Sequence, residues 1–148
     1  DYFVPSSALV GTLDARSVEA LAETPPAPVL LAERAWIDEA FAGDDLSVIL
    51  ARLEGRPIAD VLAAKSPTAL VVTLAALRRA KSLPTLEDGL AQDLRVSLRN
   101  LASPDFAEGI RAQVVDKDRN PRWNPARVED VTGTESFFAP LERELWTP

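Results

Sequence analysis

Histidine, cysteine and methionine are all absent from these 148 residues. Without histidine there can be no Ser-His-Asp triad and no histidine-bearing metal site. Without cysteine there is no disulfide framework, no thiolate nucleophile and little prospect of a zinc site. A reducing compartment suits such a chain, with the cytoplasm as the default expectation. An initiator methionine is not normally trimmed from in front of a residue as large as Asp1, so the expectation is that polypeptide has been removed upstream. No apolar run reaches the roughly 18 residues of a membrane span, and no basic segment followed by an apolar one opens the chain; neither a membrane span nor a signal peptide is expected. Positive charge is in the minority, 16 Lys and Arg against 23 Asp and Glu for a net charge of -7. That balance argues against nonspecific nucleic-acid binding, which needs clustered cations in a favourable field.

What the chain does have is apolar content, 47% by composition, enough at this length for one domain's core. Its signals are helical. Leu30, Ala35, Ile37 and Phe41 alternate with Glu33, Arg34, Asp38 and Glu39 as in an amphipathic helix bounded upstream by Pro25, Pro26 and Pro28. Asp44 or Asp45 can cap a short helix burying Leu46, Ile49, Leu50 and Leu53, and Pro57 suits the first position of another with Ile58, Val61 and Leu62 inward. Ser66-Pro67 opens a segment apolar on nearly every side through Leu77, the expected central helix, closed by Arg78, Arg79 and Lys81. Thr85 with Asp88 begins a helix through Leu86, Leu90, Leu94, Leu98 and Leu101. Ser103-Pro104-Asp105 begins the next, with Phe106, Ile110 and Val114 as its core stripe. Asn120-Pro121 and Asn124-Pro125 then enforce turns around Trp123, and short helices are expected near Ala126 to Val131 and Glu135 to Leu145. No repeat is present, and no strand beyond a possible Tyr2-Phe3-Val4.

Candidate chemistry is sparse. Asp116, Asp118 and Asn120 imitate the opening of a calcium loop, but Pro121 replaces the glycine of its sharp turn and Arg127 stands where a bidentate Glu should close the shell. No metal site and no catalytic residue is expected. Asp14, Glu19, Glu33, Asp38, Glu39, Asp88 and Asp93 read as solvated helix faces. Between Arg111 and Arg127 the cations Arg111, Lys117, Arg119, Arg122 and Arg127 face only Asp116 and Asp118, five against two, a local +3 in an acidic chain. One reading has Arg111, Lys117 and Arg122 pairing with Asp116, Asp118 or Glu108 to fasten the loop; the other has the patch attracting a phosphate-bearing ligand. Trp123 is either a core anchor between two turns or a surface on which a base could stack.

Two segments carry a family resemblance. Phe106-Ala107-Glu108-Gly109-Ile110-Arg111 runs into Asp116-Lys117-Asp118 and then Pro121-Arg122-Trp123-Asn124-Pro125, while upstream stands Ser66-Pro67-Thr68-Ala69-Leu70-Val71-Val72-Thr73-Leu74. In order and spacing they resemble the C-terminal part of 3-hydroxyisobutyryl-CoA hydrolases, a branch of the enoyl-CoA hydratase/isomerase (crotonase) superfamily, from Ser66 to about Thr132. Leu74, where hydratases commonly carry Lys, favours the hydrolase branch.

The resemblance implies an all-α, helical C-terminal region whose α/β crotonase core, with the oxyanion-hole amides and acidic residues, is absent from this chain. Residues 1–29 would be a partly helical linker leaving that core, and 30–148 the helical domain. The parent would hydrolyse an acyl-CoA thioester in valine catabolism, with coenzyme A entering only as part of the substrate and with no separate cofactor. The fragment alone would be inactive, serving as lid, packing surface and oligomer contact. Lys117, Arg111 and Trp123 are then the candidate CoA-binding residues. The partners would be the acyl-CoA, the missing core and a second copy of the chain, without nucleic acid or membrane. The alternatives are a hydratase or isomerase parent, and a non-catalytic helical interaction module.

Overall fold

Helix starts follow local chemistry closely. The structure, a computed structural model, describes residues 2–8 and 15–144. Among them are seven α-helices: α1 (Ala15–Ala20), α2 (Arg34–Ala40), α3 (Leu46–Arg52), α4 (Pro57–Ala63), α5 (Pro67–Ala80), α6 (Leu86–Leu101) and α7 (Pro104–Ile110). Asp45 caps α3 by accepting from the amides of Ser47 and Val48. Ser66 caps α5, Thr85 caps α6 and Ser103 caps α7, each through its hydroxyl oxygen. These acceptors satisfy amides that the helix leaves free, and proline at the first position of α4, α5 and α7 gives up an amide that needs no partner.

The chain forms two compact units, Asp1–Glu39 and Ala40–Pro148. In the first, Glu23 N–H donates to Phe3 O at 2.9 Å in a single antiparallel bridge, and the Tyr2 hydroxyl donates to Glu19. No longer strand occurs among the described residues. The expected Leu30 to Phe41 helix is instead a 3-10 turn (Val29–Leu31) followed by α2. Pro28 offers no capping side chain there, and its carbonyl accepts from Leu31 three residues on. Asp14, expected on a solvated helix face, lies outside the described residues, as does Leu145 at the end of the last expected helix.

In the second unit α4 and α5 meet at a bend of 111°. Helix α5 packs against α3, α6 and two 3-10 turns, Val128–Asp130 and Thr134–Phe138, and α6 packs against α7 and the second of these turns. Ile49, Leu53, Val72, Ala112 and Phe138 are buried at these junctions. Arg79 crosses the Phe138 ring at 4.3 Å, and the buried Gln92 donates to the Ala76 carbonyl at 3.2 Å, tying α6 to α5. No single described helix is long and apolar enough to cross a membrane.

The expected burial of α5 on several sides is only partly met. Val72 is enclosed while Leu77 is 61% exposed, because the unit has too few elements to surround a helix that is apolar all round. The Leu86 to Leu101 stripe is likewise mostly open to solvent. Leu53, fully enclosed, is a sensitive test of the core: Leu53→Ala should lower the unfolding free energy by about 2–5 kcal/mol in a urea titration. A loss well under 1 kcal/mol would show that α3 does not nucleate this packing.

Candidate functional site

Helix α7 presents its side chains in the reverse of the expected order. Asp105 in its first turn is buried at 8% exposure, whereas Phe106, Ile110 and Val114 are 44%, 43% and 62% exposed. The expected core stripe is therefore not in the core. It lines an open cavity of about 510 Å³ between α5, the end of α6 and α7, with Leu70, Gly109 and Trp123 among its other walls. The apolar face has this form because the polar side of α7 is held inward.

Asp105 makes the first of these inward contacts. One carboxylate oxygen accepts the Ser66 hydroxyl at 2.5 Å, and the other accepts Asn124 N–H at 2.9 Å. Ser66 in turn accepts from Ala69 N–H at the start of α5. One buried carboxylate thus joins the two motif-bearing segments and the loop after α7. A carboxylate so enclosed holds its place only with such donors.

Arg111 makes the second. Its Nε and one Nη bind both oxygens of Glu108 at 2.9 and 2.8 Å; the other Nη reaches Asp116 at 2.5 Å and Asp118 at 2.7 Å; the Asn120 carbonyl accepts at 3.2 Å. A guanidinium has five N–H donors. All are engaged within the chain, leaving none to meet a ligand in this arrangement. These contacts follow a π-helical turn (Arg111–Val115) closed by Asp116 N–H to Arg111 O at 2.8 Å. The Arg111 guanidinium, with the Arg122 amide at 2.7 Å, holds the Glu108 carboxyl down at about 2. Asp118 is lowered by Arg111 and by the Asn120 amide, and Arg111 is raised above the ordinary arginine range by its carboxylates.

Asp116 and Asp118 thereby serve Arg111 rather than a calcium ion, and no cluster of metal-ligating side chains occurs among the described residues. Arg127 is also occupied, 3.4 Å from both Glu129 and Asp130. Lys117, Arg119 and Arg122 are exposed and enter no salt bridge among the described residues. Trp123 is half-buried, its indole N–H donating to the Ala64 carbonyl at 3.2 Å. A Cβ on Gly109 would stand 3.4 Å from its ring, so the glycine is the seat for the indole. The core-anchor reading of Trp123 describes this geometry, although one side of the ring still faces the cavity. The structural reading of Arg111, pairing with Asp116, Asp118 or Glu108 to fasten the loop, describes these contacts. Sequence reasoning missed Asp105 as an organising group, because nothing local marks which of many acids is enclosed.

The family model described as enoyl-CoA hydratase/isomerase matches residues 6–138. Among curated proteins, the mitochondrial 3-hydroxyisobutyryl-CoA hydrolase of Dictyostelium discoideum is 40% identical over 78 residues, covering 51% of this chain and 20% of that protein. The Gallus gallus enzyme of the same name is 34% identical over 113 residues, 71% of this chain and 29% of that protein. A solved structure described as a carnitinyl-CoA dehydratase from Mycobacterium thermoresistibile superposes with a TM-score of 0.77 at 45% identity, covering 88% of this chain and 40% of that one. The chain therefore spans well under half the length of each of these relatives.

Two outcomes test the site's construction. Asp105→Ala strands the Ser66 hydroxyl and the Asn124 amide, and should cost about 2–3 kcal/mol in urea unfolding, with Asp105→Asn milder because one oxygen can still accept. The second concerns pH. The folded carboxyl of Glu108 lies at about 2 against an ordinary 4.5, so its stabilisation is fully present above the ordinary value and disappears as pH falls toward the folded one. Melting temperature should fall across that window. Glu108→Gln should be less stable at neutral pH with a shallower acid limb, and an unchanged limb would contradict the assignment.

Proposed function

The chain belongs to the enoyl-CoA hydratase/isomerase family, and from that premise we propose that it works as the helical C-terminal region of a larger acyl-CoA thioester hydrolase resembling 3-hydroxyisobutyryl-CoA hydrolase. The names of the curated relatives support the reaction class, and the Leu74 and Trp123 motif segments support the hydrolase branch. The reacting groups lie in the remainder of the protein. This region has neither histidine nor cysteine, and the buried Asp105 and half-buried Glu108 carboxylates are consumed in holding the loop.

One observation carries the proposed role: α7 buries its aspartate and, with the π-helical turn after it, opens Phe106, Ile110 and Val114 onto an apolar cavity. A face of this kind on a region spanning a minority of its relatives' length is suited to packing against the crotonase core, closing water away from the thioester. Self-association through the exposed leucines of α6 is a further contact of the same kind. No cofactor is proposed beyond the coenzyme A carried by the substrate. A cysteine-free chain suits a reducing compartment, of which the cytoplasm is one, while the two curated relatives are mitochondrial by name.

A second reading is a hydratase or dehydratase parent, favoured by the 45% identity to the carnitinyl-CoA dehydratase. Offering the full-length protein 3-hydroxyisobutyryl-CoA and a 2-enoyl-CoA separates the two: free thiol from the first supports hydrolysis, and hydration of the second without thiol release sinks it. The packing role has its own test. Ile110→Asp replaces a side chain that is 43% exposed here, so the region's own folding should change by less than about 1 kcal/mol. In the full-length enzyme the same change places a charge in an apolar contact, and kcat/KM should fall at least about tenfold.

A further inference from the structure

The open cavity beside α7 has two walls built alike. On one, Phe106 and Ile110 stand four residues apart, and the π-helical turn carries the row on to Val114; on the other, Ala69 and Thr73 stand four apart along α5. Side chains four apart form a ridge on a helix surface, and the trough between two such ridges has the shape that a ridge of a third helix fills.

The walls hold one cation and one anion among the described residues, Lys65 and Asp105. Asp105 is enclosed and spent on the Ser66 hydroxyl and the Asn124 amide, whereas Lys65 is exposed and enters no salt bridge among the described residues. The backbone fixes the place of this lysine. Its N–H donates to Leu62 O at 2.9 Å at the end of α4, Ser66 caps α5 directly after it, and the Trp123 indole binds the Ala64 carbonyl just before it at 3.2 Å. The corner at which α4 and α5 meet at 111° therefore sets an unneutralised cation beside an apolar trough. An apolar segment that fills the trough strips water from the lysine stem, and an ammonium so covered needs a carboxylate against it.

We propose that the cavity receives one amphipathic helix from the remainder of the full-length protein, with its apolar side on Phe106, Ile110 and Val114 and a carboxylate paired with Lys65. The inference rests on the packing reading above and adds to it the chemistry of what packs. A strand is the poorer occupant, because its free amides and carbonyls would face two walls of side chains, whereas a helix satisfies its own backbone. A helix without an acid at this point would leave Lys65 covered and unpaired.

The test treats full-length protein with a carbodiimide, which joins an amine to a carboxylate in direct contact, and reads the linked peptides by mass spectrometry. The expected product joins Lys65 to an Asp or Glu outside these 148 residues, in a segment whose apolar residues recur every three or four positions. In the same protein Lys65 should react with an amine-acylating ester at least about tenfold more slowly than Lys81, which is exposed and stands outside the cavity. Lys65→Arg keeps the ion pair without an amine to link, so the product should vanish with the melting temperature unchanged, while Lys65→Glu should lower the melting temperature. If Phe106 and Ile110 are protected while Lys65 reacts as fast as Lys81, the packing reading stands and the paired helix is overturned. Protection of Lys65 with no cross-link, a link into a segment without helical spacing, or a Lys65→Glu protein as stable as the parent also overturns it. If Phe106, Ile110 and Lys65 are all open, both readings fail.

Discussion

One guanidinium settles the course of the chain from α7 to Trp123. Arg111 takes Glu108 in a two-bond fork and gathers Asp116, Asp118 and the Asn120 carbonyl with its remaining donors. Such planar, charge-assisted pairing fixes direction as well as distance, which a lysine at the same place could not do. Because the loop is folded back by these bonds, Trp123 reaches its seat on Gly109 and Asn124 reaches Asp105. Asp105 then binds Ser66 at the head of α5. The two segments that carry the family resemblance thus meet in one hydrogen-bonded junction, in which Ser66, Glu108, Arg111, Asp116 and Asp118 are used for architecture.

That junction explains the inverted character of α7. A short helix has few positions with which to satisfy an interior; here Asp105 faces inward, joined by Ala112 of the π-helical turn that follows. The apolar side is left lining an open cavity with Trp123 and Leu70. An isolated domain would ordinarily enclose such residues, whereas a region that packs onto a larger body presents them.

The local parts of the structure were legible in the sequence, and the relational parts were not. Ser66, Thr85 and Ser103 were readable as caps because a hydroxyl beside three or four free amides acts within one turn of chain. Pro57, Pro67 and Pro104 were readable for the same reason. Within Leu30 to Phe41 the amphipathic spacing marks α2, Arg34–Ala40, but the start was misplaced, because no cap stands at Pro28 and the first residues form a 3-10 turn. The stripe of Phe106, Ile110 and Val114 was recognised, but its destination depends on a partner surface that periodicity does not describe. The sequence between Arg111 and Arg127 sums to +3 with Glu108 just outside it, and the division into an occupied Arg111 and an exposed Lys117, Arg119 and Arg122 depends on the loop's three-dimensional course.

The central claim is that the open face of α7 is a packing surface for the rest of an acyl-CoA enzyme. Hydroxyl-radical footprinting of the full-length protein tests it most directly, residue by residue. The account predicts that Phe106 and Ile110, more than two-fifths exposed in this structure, are protected to the level of the enclosed Ile49 and Leu53. Labelling of Phe106 and Ile110 as fast as for freely exposed side chains would contradict it.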